Sequence, residues 1–513
     1  MSLRASFCRE IVRYLFLRCF NKLGGFMGIK LSKGFLFGFS TAGFQHEMGF
    51  AGSEYDSDWF RWVHDPENIL AGIVSGDMPE NGPGYWDLFK SDHDMAWSLG
   101  MRAARIGIEW ARIFPKPTIQ VKVQVEEDAD GVKRVVVEER DLRSLDELAN
   151  RSAIERYRQI LGDWKARGGF LIVNLYHWPL PLWIHDPIAM RKKGPEAAPP
   201  GWVSRSTVVE FAKYAAYIAW KLDDLVDMWS TMNEPNVVWS AGYFWIRSGF
   251  PPGYLDLRSM MNARKNLLEA HARAYENIKA YSKKPVGVIY AVSDVQPLRH
   301  DDAKVAEEYE RFTTHYFFET LTRGVFDGLS RDDLKGKIDW IGINYYSRTV
   351  VTKRKVLEGY PEASVVPGYG YSCQPNSRSI DGRPTSDFGW EIYPEGLYNV
   401  LSKFRRLYGL PMMVTENGIA DEKDLWRPWY IVAHIAQIAR AVSEGADVRG
   451  YLHWNLIDNY EWASGFKMRF GLAYVDYASK KRYLRPSALV FREIATQYEI
   501  PDYLEHLTAP PRL

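Results

Sequence analysis

The run LVDMWSTMNE, residues 225–234, decides the fold: it is short and largely apolar, it ends on polar Asn233 and Glu234, and an amphipathic segment, STVVEFAKYAAYIAWKLDD (206–224), leads into it. Seven other runs have the same form: FLFGFST (35–41), AARIGIEW (103–110), FLIVNLYH (170–177), VGVIYAV (286–292), IDWIGINYY (338–346), PMMVTENG (411–418) and VRGYLHWN (448–455). Short apolar runs alternating with amphipathic segments predict parallel strands joined by right-handed helical crossovers. Eight of them, spread along the chain with no linker between, predict an α/β fold of a single closed (β/α)8 TIM barrel. That domain is expected over residues 30–513, with 1–29 as an amino-terminal extension.

Between the runs, helices are legible in SAIERYRQILGDWKARGG (152–169) and in 206–224, where apolar residues recur at three and four positions and Ser206 offers an N-cap. Residues 119–138, IQVKVQVEEDADGVKRVVVE, alternate with period two around an Asp-Gly step, which predicts a β-hairpin inserted after the second strand. Residues 356–390, rich in Gly, Pro and Ser, are too long for an ordinary connection and are read as a long loop over the barrel mouth.

Composition narrows the function. Lys and Arg number 65 against 64 Asp and Glu, so no global field attracts nucleic acid or an anionic membrane. The three cysteines, Cys8, Cys19 and Cys373, have no metal or disulfide spacing; no cofactor or metal is expected, and a reducing, cytoplasmic setting is. Aromatic residues make up 14% of the chain, a surplus that suits stacking on sugar rings, although most are expected in the core. No run has the length of a membrane span. The first 26 residues carry Arg4, Arg9, Arg13 and Arg18 among apolar positions, which breaks up any signal-peptide core and leaves a short basic amphipathic segment as the sole membrane candidate. We read it as dispensable, with Met27 as the natural start.

Active sites of such barrels lie at the carboxyl ends of the strands. Those ends supply Gln45 just past the first, Arg105 in the second, His177 on the third, Asn233 and Glu234 on the fourth, Tyr346 on the sixth, Glu416 on the seventh and Trp454 on the eighth. A lone glutamate there is commonly solvated or salt-bridged. Two of them facing across a mouth, with Asn233 before one and Arg105 available to the other, suit acetal cleavage, in which one carboxyl protonates the leaving oxygen and the other attacks or activates water.

These residues resemble glycoside hydrolase family 1, in particular its archaeal β-glycosidases. The resemblance rests on FLFGFSTAGFQHEMG (35–49), TMNEP (231–235) and VTENG (414–418), supported by RIGIEWARIFP (105–115), NLYHWPLPLW (174–183), INYY (343–346), GWEIYPEGL (389–397) and HWNLIDNYEWASGFKMRFGL (453–472). It implies a retaining β-glucosidase or β-galactosidase acting by double displacement, with Glu234 as general acid/base and Glu416 as nucleophile oriented by Arg105 and Tyr346. It implies Asn233 as donor to the sugar 2-hydroxyl, Gln45, His177, Glu461 and Trp462 as ligands of the other glycone hydroxyls, and Trp454 and Phe470 as apolar walls. In phospho-glycosidases of the family the Glu461 position is serine, followed by Lys and Tyr where this chain has Met468 and Phe470, with Lys467 one place out of register. An unphosphorylated sugar is therefore expected. Asn455 departs from the serine usual in the family. Relatives imply a homo-oligomer, with the inserted hairpin as a candidate contact. Two rival readings are a sugar-binding barrel without turnover, opposed by the intact Glu234, Glu416, Asn233 and Arg105, and a membrane-associated transglycosylase, motivated only by the basic amino-terminal segment.

Overall fold

The computed structural model describes residues 29–509, and the expectations placed on residues 1–26 lie outside the described residues. Eight parallel strands close into a barrel: β1 (Leu36–Ser40), β2 (Ala103–Gly107), β3 (Phe170–Asn174), β4 (Met228–Asn233), β5 (Val286–Ala291), β6 (Trp340–Asn344), β7 (Met412–Asn417) and β8 (Val448–His453). Each pairs with its neighbours in sequence, and β8 pairs with β1. Around them lie α1 (Tyr85–Ser98), α2 (Arg151–Ala166), α3 (Arg205–Leu222), α4 (Leu257–Tyr281), α5 (Tyr316–Arg323), α6 (Pro394–Tyr408), α7 (Arg427–Ser443) and α8 (Pro486–Gln497), each following the strand of its number. Ile29–Lys30 pairs with Glu499–Ile500, which ties the two ends of the described chain together.

Period-two alternation divides the strands' side chains between two cores. Trp229, Val288, Tyr290, Ile341, Ile343 and Tyr451 point outward to the helices. Ala103, Ile172, Ile289, Trp340, Met413 and Leu452 fill the barrel interior. Trp340 requires glycine beside it, since a Cβ on Gly287 would lie 2.6 Å from its ring. Residues continuing the inward face of β2, β6 and β8 are Arg105, Asn344 and Trp454, so the alternation that packs the interior also aims these side chains at the mouth.

Several boundaries differ from expectation. The strands stop at Ser40, Gly107, Asn174, Asn233, Asn344 and His453, because the chain there leaves the ladder and turns over the mouth; His177, Glu234, Tyr346 and Trp454 lie in those turns rather than on strands. The N-cap of α3 is Ser204, whose Oγ accepts from the Ser206 amide, and Ser206 itself lies in the first turn. The hairpin is present with shorter arms, Gln124–Asp128 and Gly131–Val136, and packs on α4, where Glu269 accepts from Val132 N and Asn277 from Val137 N. The 356–390 segment only partly covers the mouth. Ala363–Val365 adds to a side sheet with Arg348–Lys353 and Asp294–Pro297, whereas Trp390 and Tyr371, whose rings lie 5.4 Å apart, reach inward. They are held there by Glu391, which is buried and accepts from Arg348 Nε at 2.8 Å and from Gly370 N at 2.8 Å.

Candidate active site

Glu234 occupies the turn between β4 and the helix Pro235–Tyr243, in the left-handed region at φ 48°. Proline at the first helical position starts that helix without losing a bond, and the strained turn before it is the kind of conformation that surrounding structure must over-determine. Here Glu234 N donates to Ile289 O at 2.8 Å. Glu416 lies within β7, whose register with β6 shifts between Ile343 and Asn344 and with β8 between Val414 and Asn417. Such irregularities re-aim side chains, and they occur where Glu416 leaves the wall.

The two carboxyls have different partners. Arg105 Nη2 lies 2.6 Å from Glu416 Oε1, and Tyr346 donates its hydroxyl to Glu416 Oε2 at 2.7 Å. Glu234 accepts at Oε1 from the neutral amide of Asn344, at 2.8 Å. Burial, and after it the negative Glu416, push the Glu234 carboxyl up to about 8. Burial thus outweighs the repulsion by Glu416. Burial also pushes Glu416 up, but the Arg105 charge and the Tyr346 hydrogen bond pull it back, so Glu416 ionises before Glu234. Asn344 was not singled out from the sequence, although it lies in INYY two residues before Tyr346 on the inward face. Its amide also bonds Asn233 Oδ1 at 3.0 Å, and its carbonyl accepts from Thr415 at 2.8 Å.

Arg105 is fully buried and joins the rest of the floor. Its Nη1 donates to Asn233 Oδ1 at 2.8 Å, and its Nη2 approaches His177 Nδ1 at 3.3 Å. The His177 ring lies nearly parallel to Trp454 at 6.0 Å and to Trp462 at 5.8 Å; burial and then Arg105 drive its pKa well below the usual imidazole range, so it stays neutral. Gln45 Nε2 donates to Glu461 Oε2 at 3.0 Å, while Gln45 Oε1 is buried without a partner among the described residues. Burial, followed by the charges of Glu416 and Glu234, raises Glu461 to about 8. Trp462, at φ 50°, backs on Trp178 at 4.4 Å, Trp59 at 4.6 Å and Phe44 at 5.7 Å. Phe470 is buried beside Tyr346 and Trp390, which lie 6.3 and 6.1 Å from it. Trp390 and the stacked Phe388 come from the long loop and were not named from the sequence, because nothing local says which part of a loop folds inward. Lys467 is exposed, Met468 packs with the Phe470 cluster, and Asn455 bonds His46 at 3.0 Å. All the sequence-derived site residues therefore converge on one mouth.

The model of glycosyl hydrolase family 1 matches residues 27–125 and 146–500. The chain belongs to glycosyl hydrolase family 1. The interval left unmatched covers most of the inserted hairpin, as an addition to the shared barrel would. A β-galactosidase of Saccharolobus solfataricus is 55% identical over 482 residues, covering 93% of this chain and 97% of the relative. The crystal structure of the β-glycosidase from the hyperthermophile Thermosphaera aggregans superposes with a TM-score of 0.91 at 52% identity, covering 94% of this chain and 100% of that one. A β-glucosidase mutant derived from a hyperthermophilic tetrameric structure gives a TM-score of 0.88 at 55% identity, with coverage of 94% and 98%. This family 1 enzyme is a glycoside hydrolase, a retaining β-glycosidase, and its substrates are small sugar molecules.

Proposed function

We propose that the enzyme releases terminal β-glucosyl and β-galactosyl residues, with Glu234 as general acid/base and Glu416 as nucleophile. The observation that carries this assignment is the unequal partnering of two buried carboxyls: Glu416 has the guanidinium of Arg105, and Glu234 has only the amide of Asn344. Asn233 donates to the sugar 2-hydroxyl. Gln45, His177, Glu461 and Trp462 bind the other hydroxyls, with Trp454, Phe470 and Tyr346 around the ring. Residues 30–513 act as one glycosidase domain in a cytoplasmic homo-oligomer; the relative derived from a hyperthermophilic tetrameric structure supports the assembly, and light scattering on the purified protein tests it. Among the described residues no helix is long and apolar enough to cross a membrane, and nothing in the site favours the transglycosylase or the turnover-free barrel. The test is a panel of nitrophenyl β- and α-glycosides with the product anomer followed by NMR; hydrolysis with inverted configuration would overturn the reading.

The protonation pattern sets the pH profile. Glu234 must hold its proton to donate it, so kcat/KM should fall as pH rises through about 8. Glu416 must be ionised to attack, so activity should also fall in acid as its carboxylate takes up a proton. A kcat/KM profile that stays flat well above pH 8 would contradict the assignment of Glu234.

Glu461 sets the choice of glycone. Held neutral below about pH 8, the Glu461 carboxyl offers a phosphate no cation, and exposed Lys467 offers no compensation, so 6-phospho-glycosides should be cleaved negligibly. Glu461→Ser should lower kcat/KM on the ordinary glycoside by ~10-fold to ~1000-fold, the loss of hydrogen bonds at a buried sugar ligand that are not fully additive. Faster cleavage of a 6-phospho-β-galactoside than of its parent by the wild-type enzyme would sink the assignment.

A further inference from the structure

Gln45 stands on a helix of only four residues, Gly43–His46, whose N-cap residue, Ala42, has no side-chain acceptor for the first amides. Glu109, in the turn after β2, supplies one. Its Oε1 accepts from Phe44 N at 3.2 Å, across 65 residues of sequence. This approach needs glycine at 43, where a Cβ would meet Glu109 Cγ at 2.3 Å and Oε1 at 2.5 Å. Glu109 is itself anchored, its amide donating to Tyr157 Oη at 3.0 Å. The same hydroxyl donates to Glu47 Oε1 at 2.8 Å, Arg112 Nε donates to Glu47 Oε2 at 2.6 Å, and Glu47 N bonds back to Gly43 O at 2.8 Å. Both ends of the short helix are thus tied to one buried cluster. Its other contacts belong to the sugar site: Gln45 O accepts from Tyr460 N at 2.9 Å, Gln45 Nε2 reaches Glu461, and the Phe44 ring stacks on Trp462 with 5° between planes.

We infer that Glu109 is a positioning residue for glycone recognition, capping the Gly43–His46 helix so that Gln45 meets Glu461 and the sugar. The inference rests on the reading of Gln45 as a glycone ligand. Burial and then the neighbouring Glu47 push the Glu109 carboxyl up to about 8, so below that pH it is neutral and accepts through its carbonyl oxygen, as a glutamine would. The conservative variant should therefore substitute for it.

The test is kcat/KM on an aryl β-glucoside for Glu109→Gln, Glu109→Ala and Gly43→Ala, each also in a Gln45→Ala background, with thermal melting to establish folding. Glu109→Gln should stay within about 2-fold of wild type, and Glu109→Ala should lose about 10-fold, the scale of one hydrogen bond at a binding residue. Gly43→Ala disturbs the same contact from the other side without emptying the site, so it should show the same loss and serves if Glu109→Ala does not fold. On top of Gln45→Ala neither should add a further loss, because residues acting through one group are not additive. Multiplying losses in the double variants, or a Glu109→Gln as impaired as Glu109→Ala, would overturn the link while leaving the Gln45 reading intact. If Gln45→Ala alone leaves kcat/KM unchanged, the glycone reading fails and the inference fails with it.

Discussion

Glu416→Ala should abolish turnover by several orders of magnitude while leaving the fold intact. The covalent intermediate cannot form without the nucleophile, and the barrel interior that packs beneath it is a separate cluster. The lost side chain leaves a cavity beside Arg105, whose guanidinium lies 2.6 Å from Glu416 Oε1 in the native site and is left there without its carboxylate. Azide or formate should enter, pair with Arg105 and restore partial activity. With azide, a single displacement on a β-glycoside gives the α-glycosyl azide, a product that NMR identifies directly. If azide restores nothing and the variant melts far below wild type, Glu416 is a structural counter-ion to Arg105 and not the nucleophile.

Glu234→Ala should act differently. Departure of a good leaving group needs no proton, so nitrophenyl glycosides should still form the glycosyl-enzyme, whereas alkyl glycosides and disaccharides should be slowed by several orders of magnitude. The second step then lacks its general base and becomes limiting. Azide needs no base, so it should accelerate turnover and, attacking after one inversion, give the β-glycosyl azide. Opposite anomers from the two variants would assign both roles. The same anomer from both would refute double displacement through Glu416. The alkaline limb near pH 8 should also weaken in Glu234→Ala, leaving the part contributed by Glu461, which is raised to about 8 as well.

Much of this enzyme was legible in its chain. Eight apolar runs with helical segments between them have essentially one compact solution, because strands buried on both faces must be covered by helices and sealed into a barrel. That architecture confines chemistry to the strand ends, so reading those ends in order reached Arg105, His177, Asn233, Glu234, Tyr346, Glu416 and Trp454. The Asp-Gly step likewise marked the hairpin, because a two-residue turn is a local property of the chain.

Tertiary structure alone decided the rest. Strand register determined that Asn344 stands between the two glutamates, and register is a property of pairs of strands; alternation showed only which way the residue faces. The unequal protonation of Glu234 and Glu416 follows from burial and from which carboxyl Arg105 meets, and neither exists before the barrel closes. Trp390 reaches the mouth because Glu391 pins its loop to Arg348 and Gly370. Glu109 caps a helix 65 residues away. Each of these depends on contacts between segments far apart in the chain. Local periodicity and turn chemistry are short-ranged and could determine the strands, their order and the residues at their ends, whereas distances, charges and partners across the mouth arise only when those ends are brought together.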